Sequence, residues 1–130
     1  MADTVDNRVI RNGKYYVTRH INYSDGTGET GVVKVDLSAI TRWDGRTPVY
    51  SKIDRIEFNI AGMSVRLHWD HTTDDEIVVL PPGSGIIDVE ADGGLVDPRT
   101  TGDTGDILFT TVGAGAGDSY DITLYTKLKV

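Results

Sequence analysis

The 130-residue chain contains no cysteine, and it has only four prolines, three histidines, two tryptophans and two phenylalanines. Without cysteine, disulfide frameworks and thiolate metal centres are excluded. No apolar run is long enough for a transmembrane helix, and the N-terminus lacks the apolar stretch of a signal peptide. We therefore expect a protein that is made and assembled inside a cell, with a length that suits one domain.

Basic residues are also scarce, since 13 Lys and Arg face 20 Asp and Glu for a net charge of −7. This balance disfavours a general nucleic-acid binder and a protein of anionic membrane surfaces. The charge is uneven: residues 1–69 have a balance of +2 and residues 70–130 a balance of −9. Acidic turns on a solvated sheet explain this asymmetry, and so does a molecule with one face for a partner and another for water.

The residues that are abundant favour strands and turns. Val, Ile and Thr number 14, 11 and 15, whereas Leu and Ala together give 13. Branched side chains suit a pleated sheet better than a helix. The 15 glycines and the excess of Asp (16) over Glu (4) are typical of tight turns. The composition predicts an all-β protein.

Alternation of apolar and polar residues predicts eight or nine short strands in two packed antiparallel sheets, a β-sandwich of jelly-roll type. Residues 1–12 are interpreted as an N-terminal arm and residues 13–130 as the sandwich domain. In the first clear strand, Tyr15, Val17, Ile21 and Tyr23 form the apolar face, and Arg19 interrupts it. The last strand turns alternate apolar residues inward, namely Tyr120, Ile122, Leu124, Leu128 and Val130.

Two acidic segments are candidate metal sites. The first contains His68, Asp70 and His71, followed by Asp74, Asp75 and Glu76. Imidazole and carboxylate are ordinary zinc and iron ligands, but residues three apart on a strand point to opposite faces. The segment Asp103–Asp106 does not match the spacing of an EF-hand calcium loop. Surface turns explain both segments better, and we expect no metal and no cofactor.

Catalytic motifs are not recognisable in the sequence. It has no cysteine nucleophile and no Gly-x-Ser-x-Gly elbow. The glycine-rich stretch Gly113–Gly117 lacks the Lys-Ser/Thr of a P-loop and is interpreted as a hairpin connection. We expect no catalytic residue and no enzyme.

The two tryptophans lie in different contexts. Trp69 falls on the core face of its predicted strand. Trp43 lies between Arg42 and Arg46, where it is an interface anchor, a cap on the core, or a platform for a sugar ring. These alternatives remain open at the level of sequence.

Several runs together resemble a small family of virion proteins of tailed bacteriophages. They are Ile60–Asp70 (IAGMSVRLHWD), Gly105–Gly113 (GDILFTTVG), Gly117–Ile122 (GDSYDI) and Tyr16–Tyr23. The resemblance implies a structural protein of the particle, a capsid decoration or cement protein on the outer surface of the phage head. It further implies synthesis in the host cytoplasm, the major capsid protein as partner, a homotrimer, and neither nucleic acid nor membrane as ligand.

Attachment to the shell or to a neighbouring subunit is predicted for the less acidic half of the chain. The predicted interface residues are Arg8, Val9, Ile10, Arg11, Arg42, Trp43 and Arg46. Two other functions remain as alternatives: a phage tail, baseplate or carbohydrate-binding β-sandwich module, and a metal-dependent jelly-roll enzyme.

Overall fold

The structure is a computed structural model that describes residues 3–70, 75–96 and 106–129. Ten strands and two short 3-10 helices form within these ranges, and no α-helix does. The strands are β1 (Thr4–Asn12), β2 (Tyr16–Asp25), β3 (Val32–Val35), β4 (Tyr50–Ala61), β5 (Ser64–Trp69), β6 (Asp75–Leu80), β7 (Gly83–Asp88), β8 (Leu95–Val96), β9 (Ile107–Val112) and β10 (Ala116–Lys129). The 3-10 helices are Leu37–Ala39 and Glu90–Asp92.

All pairings between these strands are antiparallel, and they form two sheets. Sheet A has the order β1-β2-β10-β4-β7, with β8 also paired to β4. Sheet B has the order β3-β9-β5-β6. The antiparallel β-sandwich predicted from the sequence is confirmed. The structure has more strands than predicted because residues 4–12 pair with β2 and because β8, with two residues, forms a separate short strand.

The core lies between the two sheets and consists mainly of branched and aromatic side chains. Sheet B contributes Val65, Leu67 and Trp69 from β5, all at most 2% exposed. Sheet A contributes alternate residues of its central strand β10, as the sequence predicts: Tyr120, Ile122, Leu124 and Leu128. No helix in the described part of the chain has the length and apolarity needed to cross a bilayer.

Strand β2 turns its polar face to the core, so the predicted orientation of this strand is wrong. Its buried inner residues are Thr18, His20, Asn22 and Ser24, and Tyr23 on the other face is 61% exposed. The reason is that each of these side chains forms a hydrogen bond to another polar group of the protein. The two ring nitrogens of His20 contact Asn7 Oδ1 (2.8 Å) and Thr18 Oγ1 (2.9 Å). Buried polar groups are tolerated where hydrogen bonds replace those to water.

A buried ion pair extends this polar interior. Lys34 Nζ lies 2.6 Å from Glu29 Oε2, and the two side chains are 1% and 7% exposed. The hydroxyl of Tyr120 donates to Glu29 Oε1 at 2.5 Å. Burial, followed by the bond to Glu29, raises the pKa of Tyr120. The segment that contains Glu29 and Lys34 is thereby fixed to β10, which is distant in sequence.

A second buried carboxylate supports the segment that follows β7. Asp54 occupies an irregularity between β4 and β10, and its side chain is 1% exposed. Lys127 Nζ lies 3.4 Å and Lys52 Nζ 3.6 Å from its carboxylate oxygens. The backbone of Gly94 packs directly against it, with φ at +84°. A Cβ atom at this glycine would lie 2.4 Å from Asp54 Oδ1, so the position requires glycine.

Candidate functional site

The outer face of sheet A, which points away from the core, carries rows of side chains that cross the strands. Residues directly opposite one another on neighbouring strands point to the same side of a sheet. One row contains Arg19, Thr123, Glu57 and Ile86, taken from β2, β10, β4 and β7. The flanking rows are Val17–Tyr125–Arg55–Asp88 and Ile21–Asp121–Asn59–Ser84. Together they form a polar and apolar surface several strands wide.

This surface includes a groove of about 630 Å³. The groove is lined at one end by Ile10 and Val17 and at the other by Ile86, with polar residues between them. Ile10 is 57% and Ile86 is 60% exposed. Exposed aliphatic side chains thus lie at both ends of a polar floor.

The arginine of the groove is held by a carboxylate. Arg19 Nε and Nη2 donate to Asp121 Oδ1 and Oδ2, at 3.0 and 2.6 Å. These hydrogen bonds, followed by the charge of Asp121, raise the pKa of the Arg19 guanidinium. A two-bond pair of this kind fixes the planes of both groups, so the remaining acceptor positions of Asp121 and the remaining N–H donors of Arg19 have a defined direction.

The aromatic residue of the groove is fixed in a similar way. The hydroxyl of Tyr125 donates to Glu57 Oε1 at 3.0 Å, and Arg55 Nη2 donates to Glu57 Oε2 at 3.0 Å. The guanidinium carbon of Arg55 lies 5.6 Å from the Tyr125 ring centroid. The bond to Glu57, followed by burial, raises the pKa of Tyr125, which therefore stays protonated over the physiological range. The ring is held in one orientation before any ligand arrives.

This arrangement offers hydrogen-bond acceptors to a ligand. Each carboxylate of the groove is engaged by an arginine: Asp121 by Arg19, and Glu57 by Arg55. Such carboxylates accept hydrogen bonds from a ligand without first losing a counter-charge. The groove offers fixed acceptors beside an aromatic ring and aliphatic side chains.

The predicted metal-ligand segments lie partly outside the described residues. His71, Asp74 and Asp103 fall there. Of the residues described, His68 lies opposite Glu76 on the neighbouring strand, and Glu76 accepts two hydrogen bonds from Arg66. Within the described ranges, no three His, Asp or Glu side chains are grouped in a way that could hold a metal ion.

Asp106 closes the second of these segments and has a structural contact. Its Oδ1 accepts a hydrogen bond from the backbone N–H of Leu37 at 2.8 Å. The bond joins the start of β9 to the first 3-10 helix.

The Trp43 segment forms a closed turn at the surface. The N–H of Arg42 donates to the carbonyl of Arg46, and the N–H of Gly45 donates to the carbonyl of Arg42, both at 2.9 Å. Asp44 Oδ2 lies 3.2 Å from Arg42 Nη2 and 2.9 Å from Arg46 Nη2. Trp43 is 61% exposed and so does not cap the core. The turn therefore keeps this large apolar side chain exposed to solvent.

The other predicted interface residues lie on β1, next to this turn. Arg8 pairs with Asp6, and Val9 and Ile10 are 55% and 57% exposed. At the end of β1, the side-chain amide of Asn12 donates to the carbonyl of Thr41 at 2.8 Å. This bond brings the two predicted interface segments together. Among their residues, only Ile10 also lines the groove.

Comparison with known proteins relates the chain to others through its fold. No protein-family model matches the sequence, and no curated protein matches it. Among solved structures, a variant of a family 29 carbohydrate-binding module covers 95% of this chain with a TM-score of 0.53 and 12% identity, over 85% of its own length. A variant complexed with cellulohexaose covers 95% of this chain at TM-score 0.52 and 12% identity, over 90% of its own length. The likeness shows the fold.

A further solved structure of the same module family supports this assignment. A variant complexed with mannohexaose covers 98% of this chain and 92% of its own, with a TM-score of 0.50 and 12% identity. Three structures thus share the β-sandwich architecture over nearly the whole chain. At this identity the comparison identifies the fold and assigns no residue.

The groove could not be identified from the sequence. Its residues come from β1, β2, β4, β7 and β10, so no local motif joins them. A signal was present in β10, where Asp121, Thr123 and Tyr125 alternate with the core residues and thus lie on the outer face. Assigning Val17 to the core concealed its place beside Tyr125 on the other side of the sheet.

Proposed function

We propose that this chain is a non-catalytic recognition domain that binds a neutral carbohydrate chain across the outer face of sheet A. The observation that carries the proposal is the groove of about 630 Å³, whose polar side chains are already oriented by one another. The shared fold with family 29 carbohydrate-binding modules supports it. A surface fixed before binding loses less conformational entropy when a ligand arrives.

The groove offers complementary groups for both kinds of sugar surface. A pyranose ring has apolar C–H faces and an edge of hydroxyl groups. The ring of Tyr125 and the side chain of Val17 are suited to the C–H faces. The carboxylate of Asp121, the amide of Asn59 and the hydroxyl of Thr123 are suited to the hydroxyls.

The charges of the groove favour a neutral ligand over an acidic one. The charged residues that line the groove are Arg19, Glu57 and Asp121, and the guanidinium of Arg19 is engaged by Asp121. Two carboxylates and one guanidinium give the lining a net negative charge. An anionic sugar would have to displace a carboxylate from an arginine. A neutral sugar needs no such exchange.

The dimensions favour an oligosaccharide. From β1 to β7 the groove crosses five strands, and four inter-strand spacings amount to about 19 Å. A pyranose ring is about as long as one spacing, so the groove accommodates about four sugar units.

Isothermal titration calorimetry with neutral hexose oligosaccharides tests the proposal. We expect saturable binding by the wild type, and binding at least about tenfold weaker, or about 1.4 kcal/mol, in Tyr125→Ala and Asp121→Ala. Tyr50→Ala is the matched control, because Tyr50 is 49% exposed and does not line the groove. Equal binding by the two tyrosine variants would overturn the assignment of the site. No binding across a panel of neutral oligosaccharides would overturn the proposed function.

A second candidate function is that of a capsid decoration protein on a phage head. It is supported by the resemblance of Ile60–Asp70 and Gly105–Gly113 to phage virion proteins. The specific structural observation in its favour is the Trp43 turn, since Trp is enriched at the centres of protein interfaces and this one is held in solvent. The proposed partner is the major capsid protein, with homotrimers on the outer surface of the head.

The two candidate functions use different surfaces, so one pair of variants separates them. Mass spectrometry and cryo-EM of purified particles would establish whether the protein is present on the virion. For a decoration protein, Trp43→Ala lowers occupancy on undecorated particles and Tyr125→Ala leaves it unchanged. For a carbohydrate-binding domain, Tyr125→Ala lowers the affinity for the oligosaccharide and Trp43→Ala leaves it unchanged. Particles without the protein would overturn the second candidate.

A further inference from the structure

The two outer strands of sheet A each have one side free for pairing. Within the described ranges, β1 pairs only with β2 and β7 pairs only with β4. The outward backbone N–H and C=O groups of such strands are a template for another strand. In the part of the chain that the structure describes, sheet A therefore has two free edges at its opposite sides.

The two edges carry opposite net charge, although Asp6 of β1 is paired with Arg8. The segment from Arg8 to Lys14 (RVIRNGK) contains three basic residues and no acidic one. The segment 83–96 (GSGIIDVEADGGLV) contains Asp88, Glu90 and Asp92 and no basic residue. Like charges keep an edge from pairing with its own kind, and unlike charges favour contact between the two different edges.

The charges also match in position. The strand partners form the row Arg11–Val17–Tyr125–Arg55–Asp88, which begins on β1 and ends on β7. Four successive antiparallel pairings make β1 and β7 run in the same direction. The basic end of β1 and the acidic end of β7 thus lie at the same end of the sheet. A second copy placed beside the first in the same orientation brings its Arg11 next to Asp88 of the first copy.

Apolar side chains accompany the charges on both edges. Val9 and Ile10 of β1 are 55% and 57% exposed. On the opposite edge, Ile86 is 60% and Val96 is 59% exposed. Exposed ion pairs contribute only about 0.2–1 kcal/mol each, so these apolar residues and the free backbone groups supply most of the contact energy. The charges determine that the β1 edge pairs with the β7 edge.

We propose that copies of this chain associate edge to edge, with β1 of one copy placed against β7 of the next. The contact joins two different surfaces, so it is heterologous and links more than two copies into a ring or a row. Ile10 and Ile86 line the groove of a single copy at its two ends. The association therefore joins the grooves of neighbouring copies, and it stands independently of what the groove binds.

A charge swap between the edges tests this contact. One variant combines Arg8→Glu with Arg11→Glu, and the other combines Asp88→Lys with Asp92→Lys. Size-exclusion chromatography with light scattering, over a series of protein concentrations at low salt, measures the mass. We expect association of the wild type, monomers for either variant alone, and restored association when the two variants are mixed. Only a contact between different edges gives this restoration.

Lys129→Glu is the control. It makes the net charge more negative, as the β1 variant does, but Lys129 lies at the end of β10, which is a central strand of sheet A. We expect it to associate like the wild type. A wild type that stays monomeric over the whole series would overturn the proposal. So would two variants that associate like the wild type, or a mixture of folded variants that stays monomeric.

Discussion

Protonation of the buried His20 couples the stability of the sandwich to pH. The imidazole is 1% exposed, and its edge meets the ring of Phe109 with 5.2 Å between centroids. Burial, followed by the positive charge of Lys34, lowers its pKa from the ordinary 6.5 to about 3. Between these two values the unfolded chain holds a proton that the folded chain does not. Stability is therefore complete above pH 6.5 and falls as the pH drops toward 3.

The magnitude follows from the two pKa values. Between pH 7 and pH 5 the expected loss in the free energy of unfolding is about 2 kcal/mol. This figure holds for any folded pKa below about 4, because the folded state is then already unprotonated at pH 5. The free energy of unfolding of a typical domain is about 5–15 kcal/mol, so a loss of this size is a substantial part of it.

Urea denaturation at pH 7 and at pH 5 measures this loss, and His20→Gln is the comparison. Glutamine does not titrate, so the variant has a different absolute stability but lacks the histidine contribution to the pH dependence. We expect the wild type to lose about 2 kcal/mol more than the variant between the two pH values. Equal losses in the two proteins would refute a buried neutral imidazole.

Two further predictions concern the stability of the fold. Gly94→Ala places a methyl group against Asp54 and forces a side chain into a positive-φ position, so we expect a loss of about 2–3 kcal/mol by urea denaturation. Gly113→Ala, with φ +74° and open space around it, should lose less, and an equal loss would contradict the packing argument. Lys34→Met leaves the Glu29 carboxylate buried without its counter-charge, with an expected cost of about 3–5 kcal/mol at pH 7. A thermal unfolding midpoint equal to that of the wild type would show that water or other groups replace the ammonium.

The sheet architecture could be predicted from the sequence because it depends on local patterns. Alternation in Tyr120–Lys129 placed the core residues of β10 correctly, although the strand begins earlier, at Ala116. The orientation of β2 could not be predicted in this way. Its polar residues are buried because Asn7 and Asp3 accept their hydrogen bonds, and these partners lie on another part of the chain. Periodicity shows that two faces differ, but not which of them faces inward.

The candidate site depends still more on long-range contacts. Arg19 and Asp121 are 102 residues apart in sequence, and Tyr125 and Glu57 are 68 apart. Each is an ordinary strand residue taken alone, and only the pairing of β2, β10 and β4 brings them together. The Trp43 turn, in contrast, is local, and the sequence singled it out. Its exposure became clear only from the packing around it.

The most direct test of the central claim is an NMR titration of the ¹⁵N-labelled protein with a neutral hexose oligosaccharide. Binding across the outer face of sheet A predicts saturable shifts of the backbone amides of Val17, Arg19, Thr123 and Tyr125. Amides on sheet B, such as those of Val65 and Thr110, should stay unchanged. Spectra that do not change at saturating oligosaccharide, or changes confined to sheet B, would contradict the account.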